Sequence, residues 1–184
     1  MNLAQLPALI SARTFRIVVE SPRGSLVKLK FDSKLEVMGL SRPLPLGMTY
    51  PFDWGFVPGT EGSDGDPLDA IVAWDTPTYP GVVLTCRALG VIRVDQRDEE
   101  KRGRIRNDRI VALPVEAPRY DDVRSMQDLP SRVRLELEHF FIAVTALEGK
   151  DIHILGWAGP DAALRLLKKH RRDQDRHADQ QASN

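Results

Sequence analysis

The feature that most constrains the fold is a period-two alternation of polar and apolar residues over the first two-thirds of the chain. Glycine and proline interrupt the runs, as is typical of strands joined by turns. A hairpin is predicted from Thr14–Glu20 and Leu26–Asp32, joined across residues 21–25. Further strands are predicted at Leu35–Leu40, Leu68–Trp74, Val82–Arg87, Gly90–Asp95 and Ile105–Val115.

In the last third of the chain, the apolar residues change to helical spacing. Asp128 is a plausible N-cap with Pro130 in the first turn. Apolar residues then recur every three or four positions, at Val133, Leu137, Phe140, Phe141 and Val144, and a second helix is predicted from Pro160. The order predicts an α+β, mainly β fold in which helices pack on a small antiparallel barrel. Residues 1–170 are expected to form one domain and the polar residues 171–184 a disordered tail.

Charge and cysteine content exclude some functions. Lysine and arginine number 26, as do aspartate and glutamate, so the net charge is zero. This disfavours a nucleic-acid partner, whose non-specific binding depends on excess positive charge. The single cysteine, Cys86, rules out an internal disulfide and suits a reducing, cytoplasmic compartment. No apolar run is long enough to cross a bilayer, so no membrane association is expected.

The segment Asp64-Gly65-Asp66-Pro67-Leu68-Asp69 is the most informative motif. Two carboxylates about 6 Å apart repel by roughly 3 kcal/mol at an effective dielectric of 20, unless they point into water or share a cation. An all-oxygen site favours magnesium or calcium over zinc. A solvated acidic turn is the alternative, and it would be preferred if the motif stood alone.

Basic and aromatic residues precede this motif. Lys28, Lys30 and Arg42 are followed by residues 50–56, in which the aromatic side chains Tyr50, Phe52, Trp54 and Phe56 alternate. Taken singly, such residues are more often solvated charges or core aromatics. Together with a metal-loaded carboxylate site, however, basic groups supply what phosphate transfer requires.

At this point the chain resembles the family I soluble inorganic pyrophosphatases. Asp64–Asp69 fits the family signature Asp, small residue, Asp, Pro, apolar residue, Asp. The likeness runs in order from Arg16 to Ala163, through Glu20, Lys28, Arg42, Tyr50-Pro51, Val111–Pro114 and His139-Phe140-Phe141.

The resemblance implies an OB-type five-stranded antiparallel barrel that hydrolyses pyrophosphate to two phosphates with Mg2+, for which Mn2+ or Co2+ could substitute. It implies metal binding by Glu20, Asp64, Asp66 and Asp69, with Asp66 also the base toward the attacking water. It further implies that the substrate contacts Lys28, Arg42, Tyr50 and Arg109. A homo-oligomer is also implied, because homohexamers are common among bacterial members.

Several positions depart from the family pattern. Lys30 replaces a glutamate, Trp54 a tyrosine, Asn107 a metal-binding aspartate and Arg109 a lysine, while Val144 and Thr145 replace a tyrosine and a lysine that hold phosphate. On the longer hairpin loop, Asp95-Gln96 and Asp98-Glu99 are both candidates for the place of the family's acidic pair, so the acid that reaches the site is Asp95, Asp98 or Glu99. A weaker phosphate grip and a higher magnesium requirement are therefore expected.

Two alternatives to pyrophosphate hydrolysis stay open. The first is a divergent barrel that acts on, or only binds, another phosphate compound. The second is an OB-type nucleic-acid-binding module that stacks bases on Trp54 and Phe56, which the neutral charge and the aspartate motif both disfavour.

Overall fold

The computed structural model describes residues 2–98 and 103–172, which form nine strands and two α-helices. The strands are β1 Thr14–Ser21, β2 Val27–Asp32, β3 Val37–Pro43, β4 Asp53–Phe56, β5 Asp69–Val72, β6 Val83–Asp98, β7 Gly103–Arg106, β8 Arg109–Pro114 and β9 His153–Ala158. The helices are α1 Ser131–Thr145 and α2 Pro160–His170. The mainly β architecture with two helices near the carboxyl end is thus confirmed.

Five strands close a ring in the order β1-β4-β5-β8-β6, because β6 pairs back to β1. Four of the five pairings are antiparallel, and β5 pairs with β8 in parallel, which corrects the expectation of a wholly antiparallel barrel. Strands β7 and β9 extend this sheet from β6. Apolar side chains from the ring and from α2 fill one core cluster, and those from α1 fill another.

The predicted hairpin between the first two strands is wrong. Strand β2 pairs with β3 in a separate two-stranded sheet. Strand β6 pairs with residues 14–18 of β1 and β4 with residues 18–21, and β2 does not join this sheet. Side chains make the connection instead: the Phe31 amide donates to the Glu20 carboxylate at 2.7 Å, and the Leu29 amide donates to the Ser21 hydroxyl at 2.9 Å.

Several strand boundaries also differ from prediction. The two strands expected at Val82–Arg87 and Gly90–Asp95 are one strand, β6, with an irregularity between Ala88 and Gly90. A Cβ at Gly90 would lie 2.4 Å from the Ala158 carbonyl oxygen, so glycine lets β9 approach. The strand expected at Ile105–Val115 is broken between β7 and β8. Strands β4 and β9 were not predicted.

The helices follow the predicted apolar spacing. Leu137, Phe140, Phe141 and Val144 are all buried on α1. Asp128 does not cap this helix, because its carboxylate accepts hydrogen bonds from the Arg124 and Ser125 amides in the preceding turn. Among the described residues, no helix combines the length and the apolar character that a bilayer crossing needs.

Residues 171 and 172, which were expected to belong to the disordered tail, make backbone contacts with the rest of the chain. Arg171 forms a β-bridge with Thr60, and the Arg172 amide donates to the Gly59 carbonyl at 2.9 Å. Residues 173–184, on which the rest of the disorder prediction falls, lie outside the described residues. The assignment of residues 1–170 to one domain stays a prediction.

Candidate active site

A cavity of about 790 Å3 lies where β1, β2, the loop before β5 and the end of β6 meet. Its wall holds nearly all of the site residues expected from the sequence: Glu20, Lys28, Tyr50, Asp64, Asp66, Asp69 and Arg109. Arg42 is the exception, since it is not part of the wall. Three of the departing residues, Lys30, Trp54 and Asn107, also line the cavity.

Local backbone geometry presents the three aspartates of the motif. Gly65 adopts a left-handed conformation with φ of +84°, which glycine adopts without strain. The Asp66 amide donates to the Asp64 carboxylate at 3.2 Å, and this Asx-type turn tightens the loop. Asp69 then begins β5, which is held between β4 and β8. The turn-rich aspartate motif is thereby attached to β5, a strand of the ring whose residues 70–72 are fully buried.

Two carboxyl groups of the site have raised pKa values. Burial raises the pKa of Glu20 to about 7, and the nearby Asp69 adds to this, while the hydrogen bond from Phe31 opposes it. Burial and the charge of Asp69 also raise the pKa of Asp64. Both shifts arise first from burial and then from the negative charge of Asp69, and a bound cation would oppose both effects.

Each aspartate of the motif contacts one residue that departs from the family pattern. Lys30 Nζ lies 2.8 Å from Asp66 Oδ2, and Asn107 Nδ2 donates to Asp64 Oδ2 at 3.1 Å. Arg109 Nε lies 3.3 Å from Asp69 Oδ2. Lys30, Asn107 and Arg109 therefore form a layer of positive and amide groups opposite the acidic loop.

The register around Asn107 places this amide in the cavity and turns its neighbour away. Asp108 accepts a hydrogen bond from the Val94 amide at 3.0 Å and pairs with Arg106 at 2.7 Å. Asn107 and Arg109 both line the cavity, although the predicted strand that was to place them on one face is interrupted there.

The remaining expected cations are Lys28 and Arg42. Burial lowers the pKa of the Lys28 ammonium against the opposite effect of Asp69, and Lys150 and Arg42 lower it further. Arg42 is held beside the cavity by an ion pair with Glu148 and by a hydrogen bond to the Val144 carbonyl at 3.4 Å. Arg42 lies next to Lys28, because the two residues are paired across strands β2 and β3.

Aromatic side chains form one wall. Tyr50 is only 4% exposed, and burial raises its pKa to about 12, so its hydroxyl stays protonated at neutral pH. Trp54 contacts Tyr50 and Phe141 edge to face, with ring centroids 5.6 and 4.9 Å apart. These contacts join the cavity to the core of α1.

Gln96 and Lys150 also line the cavity, although sequence reasoning did not mention Lys150 and considered Gln96 only beside Asp95 in one candidate pair. Of the three hairpin acids considered, Asp95 is bound to Arg104 at 2.5 Å, while the Asp98 side chain and Glu99 lie outside the described part of the structure. Gln96 lies on the same face of β6 as the buried Val94, and its Oε1 is buried without a hydrogen-bond partner among the described residues. Strand parity counted from Val94 could have identified it.

The positions of the family's late-helix phosphate ligands do not face the cavity. Val144 is 5% exposed and packs with Leu44, Tyr50 and Phe140. The Thr145 hydroxyl donates to the Phe141 carbonyl at 2.8 Å. Neither side chain can contact a ligand bound among the aspartates without a change in α1.

The donor chemistry of the cavity fits a hard divalent cation. Glu20, Asp64, Asp66 and Asp69 line the cavity together with Gln96, whose buried Oε1 has no hydrogen-bond partner among the described residues. Within residues 2–98 and 103–172, no three acidic, histidine or cysteine side chains already converge into a finished ligand set. The contacts of Lys30 and Asn107 with the aspartates explain this spread, since they occupy oxygens that a cation would otherwise use.

Comparisons with known proteins agree with this geometry. A family model described as inorganic pyrophosphatase matches residues 17–175. An inorganic pyrophosphatase of Synechocystis sp. is 38% identical over 170 residues, which is 92% of this chain and 96% of the relative. One from Geobacillus stearothermophilus is 38% identical over 149 residues, 81% of this chain and 87% of the relative. The crystal structure of inorganic pyrophosphatase from Thermus thermophilus superposes with a TM-score of 0.83 at 34% identity, covering 91% of this chain and 95% of that one.

Proposed function

Because the chain belongs to the inorganic pyrophosphatase family, we propose that it hydrolyses inorganic pyrophosphate to two phosphates in the cavity described above, with magnesium as the divalent cation. The observation that carries the proposal is the complete set Asp64, Asp66 and Asp69 on one wall, opposite Lys28 and Arg109. A solvated acidic turn, which is the alternative interpretation, does not explain why these carboxylates lie in a cavity together with cationic side chains.

The cation belongs among the carboxylates of Glu20, Asp64, Asp66 and Asp69. Mn2+ and Co2+ also accept oxygen donors and are expected to support some activity. When bound, the metal offsets the negative charge of the substrate's phosphate oxygens and of the acidic loop. Asn107 and Gln96 would contribute only neutral amide oxygens, so this protein should need more magnesium than one with carboxylates at both positions.

Asp66 acts as the base. It accepts a proton from the attacking water, whose oxygen forms a new bond to phosphorus as the bridging P–O bond breaks and the second phosphate leaves. Lys30 holds Oδ2 of Asp66, which leaves Oδ1 to receive the proton. Both side chains are more than half exposed, so this ion pair contributes at most about 1 kcal/mol and water can reach the base.

Lys28 and Arg109 bind phosphate oxygens, and Arg42 assists from beside the cavity. Arg109 is only 7% exposed and its guanidinium lies 5.4 Å from the Phe141 ring centroid, which fixes its direction. The Tyr50 hydroxyl donates a hydrogen bond to the substrate, since it remains protonated at physiological pH. Together these groups stabilise the charge that develops on the non-bridging oxygens.

The test is phosphate release from pyrophosphate with Mg2+, Mn2+ or Co2+, comparing wild type with Asp66→Asn. A positioned base contributes about a hundred- to ten-thousand-fold, so the variant should lose most of its activity. Asp122→Asn, an exposed change outside the cavity, is the matched control and should be fully active. Near-normal turnover by Asp66→Asn would refute its role. No turnover by wild type with any of the three metals would favour a barrel that acts on, or only binds, another phosphate compound.

Partners and location belong to the same proposal. Exposed Leu135 and Ile142 lie seven residues apart on α1 and therefore share a face, which supports a homo-oligomer, with a hexamer as the family form to test by light scattering. The zero net charge supports the absence of a nucleic-acid partner, which retention on single-stranded DNA would contradict. The one buried thiol, Cys86, supports a cytoplasmic location.

A further inference from the structure

Lys150 enters the cavity from a segment that the sequence did not connect with it. The residue follows α1 in the link to β9, directly after Gly149, whose left-handed conformation (φ 68°) turns the chain. The Lys150 carbonyl accepts a hydrogen bond from the Arg97 amide at 2.8 Å. This bond ties the link to β6, next to Gln96, and directs the Lys150 side chain into the cavity wall.

The charge environment of Lys150 is that of an anion-binding group. Burial lowers its pKa, and the positive charges of Arg109 and Arg42 lower it further, while Asp69 and Asp64 oppose this. The ammonium is therefore close enough to respond to both the basic wall and the acidic loop. A cation held beside other cations gains most when an anion binds between them.

Two of the other cavity cations already form ion pairs with the aspartate motif. Lys30 is paired with Asp66, and Arg109 with Asp69. Lys150 instead pairs at 3.1 Å with Glu148, which does not line the cavity and which also holds Arg42. One carboxylate thus serves two cations, and the trio keeps one positive charge in surplus at the cavity.

The late-helix positions expected to bind phosphate do not reach the cavity, since Val144 is buried and Thr145 bonds back to its own helix. We propose that Lys150 binds a phosphate oxygen of the substrate. The contact expected from α1 is then made by the segment that links α1 to β9. The inference rests on the proposed function for the identity of the ligand, but the contact itself requires only a phosphate anion.

Lys150→Gln tests the contact. A charge-assisted hydrogen bond is worth a factor of about ten to a hundred, and we expect the lower end because the side chain is partly exposed. The KM for pyrophosphate and the calorimetric Kd for inorganic phosphate should both rise about tenfold, with kcat much less affected. Lys150→Arg should restore most of the affinity. Lys168→Gln, which removes an exposed lysine outside the cavity, should change neither constant.

A double variant separates binding from charge balance. If Lys150 only neutralised Glu148, then combining Lys150→Gln with Glu148→Gln would restore the KM and the phosphate affinity. If Lys150 contacts phosphate, the double variant stays as weak as Lys150→Gln. Restoration therefore overturns the inference, and so does an active wild type whose Lys150→Gln variant has unchanged KM and Kd.

The same measurements distinguish this inference from the proposed function. A wild type that does not hydrolyse pyrophosphate, but binds inorganic phosphate about tenfold more tightly than Lys150→Gln, would refute the function and support the contact. A wild type that binds no phosphate at all would refute both.

Discussion

Asn107→Asp should lower the stability of the metal-free protein and raise its response to magnesium. Asn107 now donates a hydrogen bond to Asp64 at 3.1 Å. An aspartate there removes the donor and places a second carboxylate against the first. Two unit charges 4 Å apart repel by about 1 kcal/mol in water and about 4 kcal/mol at an effective dielectric of 20.

The lower part of that range applies because Asp64 is exposed and Asn107 only half-buried. We therefore expect a loss of about 1–2 kcal/mol, which for a chain of this size corresponds to a fall in Tm of roughly 2–8 °C. A divalent cation reverses the sign, because it binds two carboxylates better than one. Each tenfold gain in metal affinity adds about 1.4 kcal/mol under saturating magnesium.

The assay is thermal unfolding of both proteins across a magnesium titration, with phosphate release measured in parallel. The two Tm curves should cross, and the magnesium concentration for half-maximal activity should fall in the variant. Asp108→Asn is the control: it weakens contacts with Val94 and Arg106, so its Tm should fall equally at every magnesium concentration. Equal Tm without metal and an unchanged magnesium requirement in Asn107→Asp would refute this reasoning. Loss of activity in Asp108→Asn alone would mean that the neighbouring residue is the functional one.

Two further predictions concern the barrel itself. Gly55→Ala should lower the free energy of unfolding, measured in denaturant, by about 1–3 kcal/mol or more, because its Cβ would lie 1.9 Å from the Val18 carbonyl oxygen. Gly39→Ala is the control and should have little effect, because its Cβ would lie 3.7 Å from its nearest neighbour. Equal losses in the two variants would contradict the steric explanation. Cys86 is fully buried and burial raises its thiol pKa, so a thiol reagent at neutral pH should modify it only after unfolding, and rapid reaction of the native protein would contradict this placement.

Strand pairing shows where sequence reasoning stopped. Alternation located β1 and β2 to within a residue or two, because side-chain periodicity is a local property. Alternation could not predict which strands pair with each other, since pairing depends on segments that are distant in the sequence. β6 pairs with residues 14–18 of β1 and β4 with residues 18–21, while β2 pairs with β3.

The site shows the same limit at the end of β6. Sequence reasoning searched this hairpin for acids, yet Asp95 turns outward to Arg104 while Gln96 faces the cavity. One extra residue, Leu89, shifts the register of β6 between Ala88 and Gly90. Each such shift changes which face a counted residue occupies, so alternation begun far from the site loses its meaning.

By itself, the sequence determined that an acidic loop at Asp64–Asp69 joins a mainly β chain, because spacing, turn residues and charge are all local. Only the tertiary structure decided what faces that loop. Lys30 meets Asp66 across 36 positions of the chain and Asn107 meets Asp64 across 43, while Lys150 arrives from the link after α1. These contacts depend on closure of the ring, which brings distant segments to one cavity wall. A local sequence pattern contains no information on the distance between two segments that come together only when the chain has folded.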